Sequence, residues 1–322
     1  MRVDVFQDLL SDVGQRLLAE AAQEYDGTGA LALGTRLRRR YDPDLVAAAL
    51  AQLDLRRRAV PKFGTEDAAR MYFTSEALEQ ATSSSVAAHR AGRMRGAGRR
   101  LADLGCGIGS DLVAAARAGL TVTGVERDPL RAEVARANLA ALGLPGTVVE
   151  QRAEQVDLAA FEVVFVDPAR RDARGRLFDP AAYSPPWAFV QQVLGTRTAC
   201  VKVGPAIPHR QVPAGVEAEW VSEHREVKEA ALWSGRLATA RRRASLLPAG
   251  LTLIETGAEA AVAPVGAFLY EPDPAIIRAG LVAELADELE AGLVDPRIAY
   301  LTADRRVRTP YARCFRVVER LP

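Results

Sequence analysis

Asp103-Leu104-Gly105-Cys106-Gly107-Ile108-Gly109-Ser110-Asp111 is the stretch on which the reading of the fold turns. It follows an apolar run, Leu101-Ala102-Asp103-Leu104, and leads into a helical pattern from Ser110. A glycine-rich turn between a strand and a helix lies where parallel α/β sheets bind ligands, outside the carboxyl ends of the strands. Lacking Cβ atoms, Gly105 and Gly107 permit a tight turn and close approach of a ligand to the backbone, and Gly109 lets the helix start pack near the strand. The dinucleotide fingerprint would need a third glycine at position 110, where the chain has Ser110, so nicotinamide and flavin dinucleotides are disfavoured.

Outward from this turn, strand and helix patterns alternate: Thr121 to Val125, a helix from Pro129, Thr147 to Val149, Val163 to Val166, a helix around Trp187 to Leu194, and Thr198 to Val203. That alternation predicts a parallel α/β sheet. Extended stretches near Ala218 to Ser222, Val227 to Trp233 and a third ending at Leu247-Pro248 predict an edge of antiparallel character, closing the sheet near residue 247. Glu126 ends the second strand, 21 residues after Gly105. At that separation an acidic side chain accepts hydrogen bonds from two ribose hydroxyls and repels a 2′-phosphate.

Asp103-x-Gly105-x-Gly107-x-Gly109 after strand one and Glu126 after strand two resemble the class I S-adenosylmethionine-dependent methyltransferases, over residues 60 to 247. The resemblance implies a Rossmann-like sheet and S-adenosyl-L-methionine as cofactor. It implies that Asp103, Gly105 and Gly107 face the methionine moiety and Glu126 the ribose. Many relatives place an acid followed by alanine after strand three; here the turn reads Gln151-Arg152-Ala153-Glu154, and Ala153 and Glu154 are the expected adenine contacts. Strand four ends in Val166-Asp167-Pro168-Ala169-Arg170-Arg171. In methyltransferases that modify exocyclic amines, Asp or Asn followed by Pro-Pro and an aromatic orients the nitrogen. Asp167-Pro168 keeps the first half of that motif, which marks both as catalytic candidates, while Ala169 and Arg170 replace the second proline and the aromatic. Arg170, Arg171 and Lys202 are the expected contacts to a phosphate or base of the acceptor.

Two further segments carry resemblances. Phe73-Thr74-Ser75-Glu76-Ala77-Leu78-Glu79-Gln80-Ala81, running into a helix expected from Ser75 through Arg93, and the following Val86-Ala87-Ala88-His89-Arg90 are similar to the segment before the glycine loop in the trimethylguanosine synthase group of RNA methyltransferases. Phe73, Thr74 and Gln80 are thereby candidates for the pocket rim. Phe268 to Ala279, with Ala299-Tyr300-Leu301-Thr302 and Pro310-Tyr311-Ala312-Arg313, resembles the THUMP-like domain that follows this type of methyltransferase in bacteria. It reads as a separate α+β module: a strand at 267–270, one helix from Ala275 to Glu290, and strands at 299–301 and 314–318.

Before residue 61 the apolar residues recur at helical spacing, as in Val5, Leu9, Leu10, Val13, Leu17 and Leu18, and Pro61 opens a different segment. The expected organisation is a helical domain at 1–60, a methyltransferase domain at 61–247 and the THUMP-like domain at 262–322. The 322-residue chain carries 42 basic and 41 acidic residues, a net charge of +1 that excludes a histone-like electrostatic binder. Only Lys62, Lys202 and Lys228 are lysines, the other 39 basic residues being arginines, so isolated arginine runs read as solvated helix faces. Cys106, Cys200 and Cys314 are too few and too scattered for a disulfide framework or a paired-cysteine metal site. With an acidic amino terminus and no long apolar span, the expectation is a cytoplasmic protein without membrane or metal. Its acceptor is expected to be an RNA base nitrogen; carbon methylation of a pyrimidine, a small-molecule acceptor and a non-catalytic RNA-binding protein with a relic pocket stay open, as does oligomeric state.

Overall fold

The computed structural model describes residues 1–25, 27, 29–168, 171, 172, 175, 176 and 184–320. Two compact units divide the chain, residues 1–164 and 165–322, the division falling inside one strand.

The first unit opens with four helices, α1 (Val3–Leu10), α2 (Asp12–Glu24), α3 (Ala30–Leu37) and α4 (Pro43–Arg70). Ser11 caps α2 by accepting from Gly14 N–H, and Asp42 caps α4, whose first position is a proline preset for helical φ. Phe6, Leu9, Leu17, Leu37, Val46 and Ala49 are fully buried between these helices. The expected change of segment at Pro61 does not occur there: α4 runs through Pro61 and breaks at Gly64, with φ 76° and ψ 165°. An extended segment, Met71 to Phe73, leads to α5 (Ser75–Gln80) and α6 (Ser84–Arg95). The single helix expected from Ser75 to Arg93 is thus two. Lys62 Nζ donates to the carbonyls of Leu78, Glu79 and Ala81 at 2.7–2.9 Å, satisfying the groups that a continuing helix would use. Then come β1 (Arg100–Leu104), α7 (Ser110–Arg117), β2 (Thr121–Glu126), α8 (Pro129–Leu142), β3 (Thr147–Glu150) and β4 (Val163–Val166). The strand order is β4-β1-β2-β3, with β1–β2 and β2–β3 parallel, Leu104 opposite Val125 and Glu126 opposite Glu150.

The second unit carries a two-residue pair, β5 (Arg171–Asp172) and β6 (Gly175–Arg176), then α9 (Trp187–Thr196), β7 (Ala199–Val203), β8 (Glu217–Glu223), β9 (Glu226–Trp233), β10 (Arg242–Leu247) and β11 (Leu251–Ile254). The order is β11-β10-β8-β9-β7. β9 is antiparallel to both neighbours, as expected for the edge, but β10 is parallel to β8, and β11 extends the sheet beyond the expected limit at 247. A second, four-stranded sheet, ordered β13-β14-β12-β15, is built from β12 (Phe268–Pro272), β13 (Gly292–Asp295), β14 (Ile298–Ala303) and β15 (Ala312–Arg316). Between β12 and β13 the single expected helix is two, α10 (Pro274–Ala279) and α11 (Val282–Leu289), because Gly280 takes φ 68° and ends α10. α10 packs on β8, β9 and β10.

Candidate functional site

The glycine loop is stitched to β2. Gly105 N–H and Cys106 N–H both donate to Val125 O, at 2.8 and 3.1 Å, and Gly109 N–H closes the turn on Cys106 O. Gly107 has φ 57°, where an L side chain is strained, and a Cβ there would meet no atom within 4 Å. The space in front of Gly107 is therefore open, as a backbone cradle for a ligand requires. Gly124, in mid-β2, serves the same loop from behind: a Cβ there would lie 2.8 Å from Cys106 Sγ and 2.9 Å from Leu112 Cδ2. Sequence reasoning did not single out Gly124.

Glu126 holds the loop. Its Oε2 accepts from Gly107 N–H at 3.0 Å and its Oε1 from Asp128 N–H at 2.9 Å, with the residue only 6% exposed. Each carboxylate oxygen offers two lone pairs, so one remains on each after these bonds. Two adjacent acceptors fit the vicinal hydroxyls of a ribose. Asp103, at the end of β1, is 1% exposed. The loop, the open space and the carboxylate pair thus fit S-adenosylmethionine.

A strap of extended chain flanks the loop. Asn138 of α8 accepts from Tyr72 N–H at 2.7 Å and donates to Tyr72 O at 3.1 Å and to Ile108 O, in the glycine loop, at 2.8 Å. Gln52 of α4 pairs with Phe73 in the same way, accepting from its N–H at 3.0 Å and donating to its carbonyl at 2.7 Å. Arg56 donates to Met71 O at 2.9 Å. Side chains thereby supply the backbone partners that a neighbouring strand would otherwise give. Ile108 is buried within the cluster formed by the amino-terminal helices. Neither Gln52 nor Asn138 was singled out from the sequence; a polar amide inside an apolar helical pattern was the only signal.

The other expected residues of this unit fall as follows. Phe73 is not on a rim: its ring is fully buried, 5.4 Å from that of Phe63, because the strap is drawn into the helical core. Thr74 caps α5, its side chain accepting from Ala77 N–H. Gln80 is exposed and donates to Glu76. Ala153 is buried and begins a short 3-10 turn after β3; Glu154 beside it has its carboxylate 3.7 Å from Arg152.

In the second unit, Asp167 directly follows β4 and its Oδ2 accepts from Lys202 Nζ at 2.7 Å. The lysine side chain is 11% exposed and the aspartate 31%. Lys202 spends one of its three donors on Asp167. Pro168 is buried. Arg170 lies outside the described residues, and Arg171 opens β5, where only the backbone is described.

Cys106 and Cys200 are buried, and burial together with the charges of Asp103 and Glu126 pushes the Cys106 thiol well above the usual range. Among the described residues no group of three or more His, Cys, Asp or Glu could hold a metal ion, and no helix is long and apolar enough to cross a membrane.

Parallel β1, β2 and β3, a glycine turn after β1 and a buried acid ending β2 define a Rossmann-like α/β protein with a nucleoside-cofactor cradle. A family described as a methyltransferase domain matches residues 101–171, and one described as a domain of unknown function (DUF8688) matches residues 2–59. An uncharacterized S-adenosylmethionine-dependent methyltransferase of Mycobacterium tuberculosis H37Rv is 38% identical over 278 residues, 83% of this chain and 76% of that protein. The chain belongs to the S-adenosylmethionine-dependent methyltransferases. A Porphyromonas gingivalis W83 protein, provisionally described as a methyltransferase, shares the fold in its crystal structure. Its TM-score is 0.78 at 20% identity, over 94% of this chain and 81% of that one. S-adenosylmethionine is the cofactor and methyl transfer the activity.

Proposed function

We propose that this enzyme methylates a nitrogen of an RNA base in the cytoplasm. The observation that carries the reading is the Asp167–Lys202 pair at the end of β4. A carboxylate accepts hydrogen bonds and does not donate them. With Oδ2 engaged by Lys202, Oδ1 is left to accept from a polar N–H, which an amine nitrogen offers and the C–H of a pyrimidine C5 does not. Bound S-adenosylmethionine supplies an electrophilic methyl on a sulfonium. Asp167 and Pro168 then fix the direction of the acceptor lone pair, and alignment rather than strong base catalysis lowers the barrier.

In this reading Asp103, Gly105, Gly107 and Glu126 bind the methionine and ribose portions, Ala153 and Glu154 the adenine edge. Thr74, Gln80, Arg170, Arg171 and Lys202 are proposed to contact the acceptor. Covalent methylation of a pyrimidine carbon requires a cysteine thiolate, and burial of Cys106 and Cys200 counts against it. The likeness of residues 73–90 to the trimethylguanosine synthase group, and of residues 268–313 to a THUMP-like domain, supports RNA as the acceptor. The test is transfer of a labelled methyl group from S-adenosylmethionine to RNA isolated from a deletion strain, followed by nucleoside digestion. Label in an N-methylated nucleoside is expected. No label in any RNA fraction would remove the RNA reading.

A further inference from the structure

A cavity of about 520 Å³ opens in the second unit, walled by the 209–216 segment, β8 and the start of β10. Its charged lining is one-signed: Arg210, Arg241 and Arg242, with His209 and Trp220, and no carboxylate among the lining residues. The rest of the wall consists of short apolar side chains and Gly215. Trp220 lies in register with Ala230, which faces Val203, whereas Lys202 lies in the adjacent row with Ala231 and Glu219. Successive residues of a strand point to opposite faces, so the cavity lies on the face away from Lys202 and is distinct from the Asp167 site.

The lining cations are not equivalent. Arg242 donates through Nη1 to Ala279 O at 3.0 Å and Gly280 O at 3.3 Å, and through Nη2 to Glu255 at 2.7 Å. Glu255, held below the usual carboxylate range by that bond, neutralises it. The Nε of Arg242 is buried with no hydrogen-bond partner. His209 bonds through Nε2 to the Arg278 carbonyl at 2.8 Å, and its ring rests 4.9 Å from that of Trp220. A carbonyl only accepts, so Nε2 carries the proton. Arg241 is 83% exposed, 3.9 Å from Glu255 at the limit of an ion pair, and Arg210 makes no ion pair among the described residues. Two exposed guanidiniums thus stand at the mouth of a small apolar hollow. A planar fork of this kind matches phosphate oxygens two at a time.

We infer that this cavity binds the phosphate of a nucleotide unit, supplied by the backbone of the RNA acceptor. The choice of RNA as source rests on the function proposed above; a free nucleotide offers the same chemistry. The test uses the full-length protein and the double variant Arg210→Ala/Arg241→Ala. Both side chains are exposed, so folding is preserved, and titration with S-adenosylmethionine serves as the control. The probes are inorganic phosphate, adenosine 5′-monophosphate and a mixed-sequence single-stranded RNA. The double variant is expected to bind the RNA about tenfold more weakly. Its slope of log K against log salt should fall by about 1.4, two contacts at about 0.7 each, with cofactor affinity unchanged. Loss of adenosine 5′-monophosphate binding with RNA affinity intact supports the phosphate cavity and assigns the free nucleotide as its source. Phosphate binding that depends on these arginines, in a protein that transfers no methyl to RNA, would remove the RNA reading and leave the cavity. If none of the three probes responds to the double variant, the inference is overturned.

Discussion

Asn138 and Tyr72, 66 residues apart, are joined as strand partners would be. Tyr72 N–H donates to Asn138 Oδ1 and Asn138 Nδ2 donates back to Tyr72 O. The same Nδ2 also donates to Ile108 O, so one side-chain amide ties the strap at 71–73 to the glycine loop. Replacing Asn138 with Leu orphans one buried N–H and two buried carbonyls. The expected cost is about 3 kcal/mol of stability. The displaced Ile108 should also weaken S-adenosylmethionine binding. Phe6→Leu, which trims the same core away from the loop, should lower the melting temperature without that loss. Denaturant unfolding and calorimetric titration of both variants check this; equal affinity in Asn138→Leu and wild type would show that the amide is purely structural.

Lys202 and Asp167 form a coupled pair, and their variants should not add. Asp167→Ala is expected to lower the methyl-transfer rate severely with cofactor affinity nearly unchanged. Lys202→Met should lower the same rate, since it leaves Asp167 without its Nζ donor. The double variant should be no slower than Asp167→Ala alone. Single-turnover rates measure this, and Lys202→Arg should restore part of the lost rate. Additive losses would give Lys202 a role independent of Asp167.

How far the sequence revealed this arrangement depended on the range of each interaction. The glycine turn and Glu126 were legible because their requirements are local: positive φ at fixed positions and an acid one strand along. The break between α5 and α6 was not, because it depends on Lys62 reaching the carbonyls of Leu78, Glu79 and Ala81 from 16 to 19 residues away. Lys202 stands out by its rarity, but its partner lies 35 residues earlier and no spacing rule links them. The rim position expected of Phe73 rests on the resemblance of its segment to the trimethylguanosine synthase group, not on its own side chain. Its burial follows from Gln52 and Asn138 satisfying the strap's backbone, which lets the chain sink into an apolar core. Short strands such as β11 and β13 carry too few residues to show a period.

Asp67 and Arg117 join the end of α4 to α7. Arg117 Nη2 donates to Asp67 Oδ1 at 2.7 Å, and Nη1 reaches the other oxygen. This hydrogen bonding, more than simple charge, holds the Asp67 carboxyl below its usual range. A carboxyl whose folded pKa is lowered contributes stability above its unfolded value, about 3.9, and loses it as pH falls through the lower folded value. Asp67→Asn should therefore melt below wild type at pH 7, the gap narrowing as the pH drops below about 4. A gap independent of pH would mean that the ion pair contributes nothing.

Cys106 and Cys200 should resist thiol reagents in the native protein at pH 8, while the half-buried Cys314 reacts. Titration with a chromogenic disulfide before and after denaturation counts them. Cys200→Ser should retain methyl transfer, and no adduct should form with fluorinated pyrimidine RNA. An adduct lost in Cys200→Ser would establish the pyrimidine-carbon reaction instead.

The most direct measurement is calorimetric titration of S-adenosylmethionine into the wild-type protein and into Glu126→Ala. Wild type is expected to bind in the micromolar range, about −8 kcal/mol. Losing the carboxylate removes the ribose acceptors and the bond that holds Gly107, so Glu126→Ala should bind about a hundredfold more weakly, roughly 2.8 kcal/mol. Equal affinity in the two proteins would contradict the assignment of the glycine loop and Glu126 as the cofactor cradle.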